Sequence, residues 1–226
     1  MKTLSELLEN AQFPDTSSPE DLAQYVWRKE TKGLMRAAGV PERFLQRLNF
    51  DDCRPQKAVF SRCQGLCSGK GAIVALVGPR GTGKTTIAAQ LVRARAENEE
   101  LPPWERQPPY RKTVDLLNRW KPLYSDSGHI DIEELRFRRD EYCRLSLHII
   151  DEIHECEDLK ARDRMLTDIC DRCYAFKTDV VLISNQTEEQ FRKTTNESIL
   201  SRLEEHGEVI ECKWESRRES RREAKG

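Results

Sequence analysis

The sequence predicts an α/β fold with a parallel sheet, and three features carry that expectation. From residue 70 onward, short apolar runs bounded by turn residues recur in the manner of strands buried on both faces. Stretches with helical spacing separate these runs, which is the signature of strand-helix-strand units. The first run ends in a glycine-rich loop that opens directly into a helical pattern.

Taken in order, residues 1–50 read as a short helical extension and residues 51–226 as the main domain with a charged tail. In the extension, Leu4, Leu7, Leu8 and Ala11 mark one short helix. A second begins where Ser18 can cap, Pro19 suits the first helical position, and Glu20 and Asp21 sit at the positive end of the dipole. Leu22, Tyr25 and Val26 give it an apolar face, and Gly39 followed by Pro41 stops it. Two short amphipathic helices bury little alone, so this segment either docks on the main domain or engages a partner.

The strongest strand signal is Ala72-Ile73-Val74-Ala75-Leu76-Val77. Leu145-Ser146-Leu147-His148-Ile149-Ile150 follows, then Val180-Val181-Leu182-Ile183, then a weaker run from Val209 to Cys212 with Trp214 beyond it. Helical patterns cover 85–98, 114–122, 132–142, 159–176 and 188–205. The proline-rich stretch 101–109 breaks helix and ladder alike and reads as a surface connection, with a short strand over 110–114. The tail from Arg217 to Lys225 is too charged to pack.

Composition narrows the function classes. A chain of 226 residues suits one domain plus a small extension. Its 38 basic and 39 acidic residues nearly cancel, so no one-sign field draws the whole molecule to nucleic acid or anionic lipid. No apolar stretch approaches the roughly 20 residues of a membrane span, and a soluble cytoplasmic protein is expected. Eight cysteines without a secretion signal read as free thiols. Cys53, Cys63-x₃-Cys67 and Cys170-x₂-Cys173 invite a zinc reading, but the two close pairs are too far apart in sequence for a typical structural site. His148, inside an apolar strand, reads as a core residue.

Gly78-Pro79-Arg80-Gly81-Thr82-Gly83-Lys84-Thr85 satisfies G-x-x-x-x-G-K-[ST] between a strand and a helix, with Thr86 next in line. Such a loop turns its backbone N–H groups onto an anion, and the following helix adds its positive end. Lys84 would meet the β- and γ-phosphates, and the Thr85 hydroxyl would ligate magnesium. Asp151 and Glu152 fall just past a buried strand. Asp151 would complete the magnesium shell and Glu152 would polarise an attacking water. Asn185, at the tip of the next strand, could hydrogen-bond both γ-phosphate and water. No guanine-selective Asn-Lys-x-Asp is present, so ATP is favoured over GTP, and the acidic pair favours hydrolysis over phosphoryl transfer.

The stretch from Gly39 to Arg218 resembles the AAA+ ATPases, and within them the DnaC/IstB group of helicase loaders and transposition helpers. The resemblance rests on Gly39-Val40-Pro41-Glu42-Arg43-Phe44, the phosphate loop, Ile150-Asp151-Glu152, Ser184-Asn185-Gln186, and a closing block from Ile199 to Gly207 that continues through Val209-Ile210 to Trp214-Glu215-Ser216-Arg217-Arg218. It implies that Arg202 is an arginine finger reaching a neighbouring subunit's nucleotide, so that catalysis requires self-association, and that Arg218 senses the γ-phosphate in its own subunit. It further implies ATP and magnesium as cofactors, and a hexameric replicative DNA helicase and single-stranded DNA as partners, with the 1–50 extension as the helicase grip. A transposition helper that directs a transposase to duplex DNA is the alternative. A nucleotide-gated adaptor with vestigial hydrolysis is disfavoured, because Lys84, Asp151, Glu152, Asn185 and Arg202 are all retained.

Three departures from the group pattern stand out. His154 follows Ile153 where the group commonly has glycine. The chain after Asn185 is too short for a full C-terminal helical lid, and the extension carries no recognised signature. For DNA contact, Lys160, Arg162 and Arg164, or Arg136, Arg138 and Arg139, are candidate basic faces, although interleaved acids favour a salt-laced surface.

Overall fold

The computed structural model describes residues 19–46, 54–123 and 131–214. The short helix expected near Leu4 to Ala11, the cap at Ser18, Cys53, and the tail with Arg217 and Arg218 lie outside the described residues, as do the side chains of Leu22, Tyr25 and Val26.

Helix α1 (Pro19–Ala38) leads through a single 3-10 turn (Glu42–Phe44) towards α2 (Arg54–Leu66), and the sheet follows. In chain order come β1 (Ile73–Val77), α3 (Lys84–Glu97), β2 (Tyr110–Lys112), α4 (Thr113–Trp120), α5 (Ile132–Cys143), β3 (Leu147–Asp151), α6 (Leu159–Ala175), β4 (Asp179–Ile183), α7 (Glu188–Thr194), α8 (Glu197–His206) and β5 (Gly207–Glu211). The five strands are all parallel, in the order β2-β3-β4-β1-β5. Because every connection crosses back over the sheet, all carboxyl ends lie along one edge, where α/β proteins bind ligands. The strand that ends in Asn185 is threaded between the phosphate-loop strand and the acidic strand.

Side chains alternate between two cores, as strand geometry demands. Val74 and Leu76 pack with Met35, Val59, Ile87 and Leu91 from α1, α2 and α3. Ile73, Ala75 and Val77 pack with Leu116, Trp120, Ile169 and Leu203 from α4, α6 and α8. Helix α3 is buried on nearly all sides, so the phosphate loop is anchored between a central strand and a central helix.

The downstream half of the N-terminal segment docks on this core. Met35, Val40 and Leu45 are buried, and at about 1.5–3 kcal/mol each they hold the segment down well beyond thermal energy. Arg93 donates to the Leu45 carbonyl and Gln90 to that of Gln46, at 3.3 Å. Helix α1 stops where the spacing predicts, with Gly39 at φ +95° and so close to the Tyr110 carbonyl that a Cβ would stand 2.6 Å from it.

Two elements depart from expectation. Helix α2 was not anticipated. The predicted single helix over 188–205 is two, because Thr195 is extended (φ −93°, ψ 140°) and the Asn196 side chain starts α8 by accepting from the Ser198 N–H at 2.9 Å. The cysteines among the described residues are free thiols. Cys63 and Cys67 belong to one core and Cys170 and Cys173 to the other, so the sheet separates the pairs that a zinc reading would need to unite. Among the described residues, no helix is long and apolar enough to cross a membrane.

Candidate active site

The carboxyl edge of the sheet gathers the residues that sequence reasoning singled out from three strands. After β1, Gly78 takes φ +127° over the end of β5, and a Cβ there would stand 2.5 Å from the Cys212 carbonyl; only glycine allows that approach. Gly81 and Gly83 are also left-handed, at φ +91° and +92°, and the loop closes directly into α3. Lys84 is buried and donates to the carbonyls of Gly78 and Pro79, each at 2.7 Å. Burial lowers its pKa from the ordinary lysine value, which sharpens the preference of this ammonium for an anionic partner. Arg80 is exposed, and Thr86 is half-buried on the first turn of α3.

The loop is braced from two directions. Gln56 Nε2 and Trp214 Nε1 both donate to the Thr82 carbonyl, at 2.8 and 2.7 Å. The unanticipated helix α2 therefore has a structural reason: it delivers Gln56 to the loop.

At the end of β3, Thr85 Oγ1 donates to Asp151 Oδ2 at 3.0 Å, so the hydroxyl and carboxylate expected to share a cation stand together. Tyr110, on the neighbouring strand, donates to the same oxygen, and the Glu152 N–H donates to Asp151 Oδ1 at 2.7 Å. Burial raises the Asp151 pKa above the ordinary aspartate value, and these three donors pull it back. The oxygen-only donor set fits magnesium, which takes one or two side-chain ligands and completes its shell with phosphate and water. Among the described residues no cluster of three His, Cys, Asp or Glu forms that would hold a metal unaided.

Glu152 sits at φ +57°, a conformation uncommon for a residue with a side chain, and its carboxylate meets Lys112 Nζ at 2.8 Å. The left-handed position falls on Glu152 itself and not on residue 154, so His154 fits where the group pattern has glycine. His154 bridges Ser184 Oγ at 2.9 Å and Thr194 Oγ1 at 3.0 Å, and burial lowers its pKa to about 4. Asn185 stands at the β4 tip with its amide Nδ2 donating to Glu155 at 2.7 Å. Tyr110, Lys112, Gln56 and Glu155 were not singled out from sequence; each is joined to the site across neighbouring strands or layers, which leaves no local pattern.

Arg202 is not part of this cluster. Its guanidinium lies 4.4 Å from the centre of the Tyr174 ring and its Nε 3.3 Å from Asp171, both on α6. Of the candidate basic faces, Arg136 and Arg138 pair with Glu133 and Glu134 at 2.6 and 2.5 Å, while Arg139 and Arg162 are buried against Asp168 and Asp163. The face from Arg136 to Arg139 is salt-laced, as the interleaved acids imply, whereas on the other face Lys160 and Arg164 are exposed.

A parallel sheet of this order, with a phosphate loop on a central strand, an acidic pair at the end of one strand and an amide at the tip of another, defines a nucleotide-binding AAA+ ATPase core. Residues 70–205, more than half of the chain, match the AAA domain family, and the chain belongs to it. Its fold is similar to the crystal structure of the DnaC helicase loader, with a TM-score of 0.57 and 18% identity over 76% of this chain and 99% of that one. A putative primosome component from Streptococcus pyogenes serotype M3 gives 0.56 and 14% over 81% and 96% of the two chains. The replication initiator DnaA, bound to AMPPCP and single-stranded DNA, gives 0.55 and 16% over 81% of this chain but only 56% of its own. No curated protein matches the chain in sequence.

Proposed function

We propose that the protein is a magnesium-dependent ATPase of the cytoplasm that loads a hexameric replicative helicase onto single-stranded DNA. The observation that carries the ATPase step is the convergence of Lys84, Thr85, Asp151, Glu152 and Asn185 on one sheet edge. Lys84, held at 2.7 Å from loop carbonyls, would turn from them to a β- or γ-phosphate. Thr85 and Asp151 would hold magnesium, which when bound offsets phosphate charge. Glu152, on leaving Lys112, orients and polarises the attacking water. Asn185 donates to the γ-phosphate or the water.

The loader reading draws support from the likeness to the DnaC helicase loader over 99% of its length. In it, Arg202 leaves Asp171 and Tyr174 to reach the nucleotide of a neighbouring copy, which makes hydrolysis conditional on assembly. The 1–50 segment grips the helicase. Its downstream part is built into the core, so the grip falls to its upstream part. Arg218 senses the γ-phosphate within its own subunit.

The test is helicase loading in a purified system. A hexameric replicative helicase mixed with the protein, ATP and single-stranded DNA coated with its binding protein should unwind a downstream duplex, and Lys84→Ala should fail because it no longer binds nucleotide. Arg202→Ala should bind ATP normally yet lose DNA-stimulated turnover. Normal turnover by Arg202→Ala refutes the trans role. Delivery of a transposase to duplex DNA in place of helicase loading establishes the transposition helper instead.

A further inference from the structure

Glu155, three residues past Glu152, has no role in the reaction described above, yet it stands where two groups of the site meet. Its Oε1 accepts from Arg80 Nη2 at 2.6 Å and from Asn185 Nδ2 at 2.7 Å. Arg80 comes from the phosphate loop after β1 and Asn185 from the tip of β4, so donors from two adjacent strand ends converge on a single anionic oxygen. A guanidinium and an amide aimed at one point form a site for an anionic oxygen whichever group supplies it. The geometry is set by the backbone. The Glu155 N–H closes a turn on the Glu152 carbonyl at 3.0 Å, and His154, between Ser184 and Thr194, ties this turn to the β4 tip.

We propose that Glu155 is a resident competitor of the γ-phosphate: its carboxylate holds Arg80 and Asn185 together until a terminal phosphate oxygen of a nucleoside triphosphate displaces it and takes both donors. A nucleoside diphosphate, which lacks that oxygen, leaves the pair closed. The inference rests on the nucleotide-binding reading above and adds to it a way for the site to distinguish triphosphate from diphosphate. The latch is weak enough to yield. The Arg80 side chain is 72% exposed and that of Glu155 37%, and exposed ion pairs of this kind are worth about 1.5- to 5-fold in an equilibrium. A γ-phosphate brings more charge than one carboxylate and outcompetes it.

The test compares affinities for AMPPCP and ADP, each with magnesium, in the full chain. Glu155→Ala should tighten AMPPCP binding about 1.5- to 5-fold and leave ADP unchanged. Glu155→Gln, which keeps the shape but not the charge, should fall between Ala and wild type. Arg80→Ala should weaken AMPPCP selectively, and in that background Glu155→Ala should give little or no further gain. Thermal midpoints confirm that each variant is folded. Equal shifts for both nucleotides, weaker AMPPCP binding by Glu155→Ala, or a full gain surviving without Arg80 would overturn the competitor role while leaving the nucleotide site standing. A wild-type chain that binds neither nucleotide would overturn the site and this inference together.

Discussion

Replacing Asp179 by alanine would cut the fold at the entrance to the phosphate-loop strand. Asp179 is fully buried at the start of β4. Its Oδ2 accepts from the Gly69 N–H at 2.6 Å, and its Oδ1 accepts from Lys70, Gly71 and Ala72 at 3.3, 3.1 and 2.9 Å, with Arg95 at 3.8 Å. One carboxylate thus collects the backbone that feeds β1. Without it, the exposed N–H groups of Gly69 and Lys70 turn to water, whereas those of Gly71 and Ala72 are buried and lose their partner. Two such groups at about 1–3 kcal/mol each give a loss of ~4 kcal/mol. For a chain of this size that lowers the melting temperature by roughly 8–16 °C. Asp179→Asn keeps the Oδ1 acceptor and should lose about a third as much. Thermal unfolding followed by circular dichroism reads both values. Nucleotide affinity below the melting transition should not change, because the clamp lies at the opposite end of the sheet from the site. A midpoint for Asp179→Ala within 2 °C of wild type, an order-of-magnitude bound from the same scaling, would refute the reasoning.

Tyr110→Phe removes a donor that favours ionised Asp151, so its carboxyl pKa, already raised by burial, rises further. The acid limb of kcat/KM should move to higher pH by about one unit, and an unchanged profile would remove Tyr110 from the magnesium site. His148 is fully buried in β3 and burial depresses its pKa to about 3. The unfolded chain then binds the extra proton, so the stabilisation is complete above pH 6.5 and is lost as pH falls towards 3. Its slope is at most about 1.4 kcal/mol per unit, and His148→Phe should flatten that part of the stability curve in urea titrations at stepped pH. Trp214→Phe takes away one of the two donors that brace the Thr82 carbonyl and should weaken nucleotide binding by about 2- to 10-fold. Equal affinities of the two proteins in a calorimetric titration would show that Gln56 braces the loop alone.

The central strands and the phosphate loop were readable because their information is local. Ile73 to Val77 is an unbroken apolar run ended by a glycine that no other residue can replace, and Lys84 and Thr85 open a helix on the spot. Asp151 and Asn185 were readable for the same reason, as polar residues at the tips of apolar runs. Helix α2 escaped because little of it is apolar and buried: Val59 and Cys63 face the core, and its functional residue, Gln56, is polar. The break at Thr195 was signalled by Asn196, a capping residue inside an otherwise continuous helical pattern. Tyr110 and Lys112 owe their places to strand pairing, in which Lys112 stands level with Asp151. No periodicity within β2 announces that pairing. The same holds for Glu155, which meets Arg80 and Asn185 only once β1, β3 and β4 lie side by side.

Hydrolysis of ATP at this edge of the sheet through Glu152, as proposed, is tested by phosphate release from ATP measured on three proteins. Wild type should release phosphate in the presence of magnesium and single-stranded DNA. Glu152→Gln should bind ATP with wild-type affinity yet turn over at least about 100-fold more slowly, and Lys84→Ala should neither bind nor hydrolyse. Phosphate release by Glu152→Gln at the wild-type rate would remove Glu152 from the hydrolytic step.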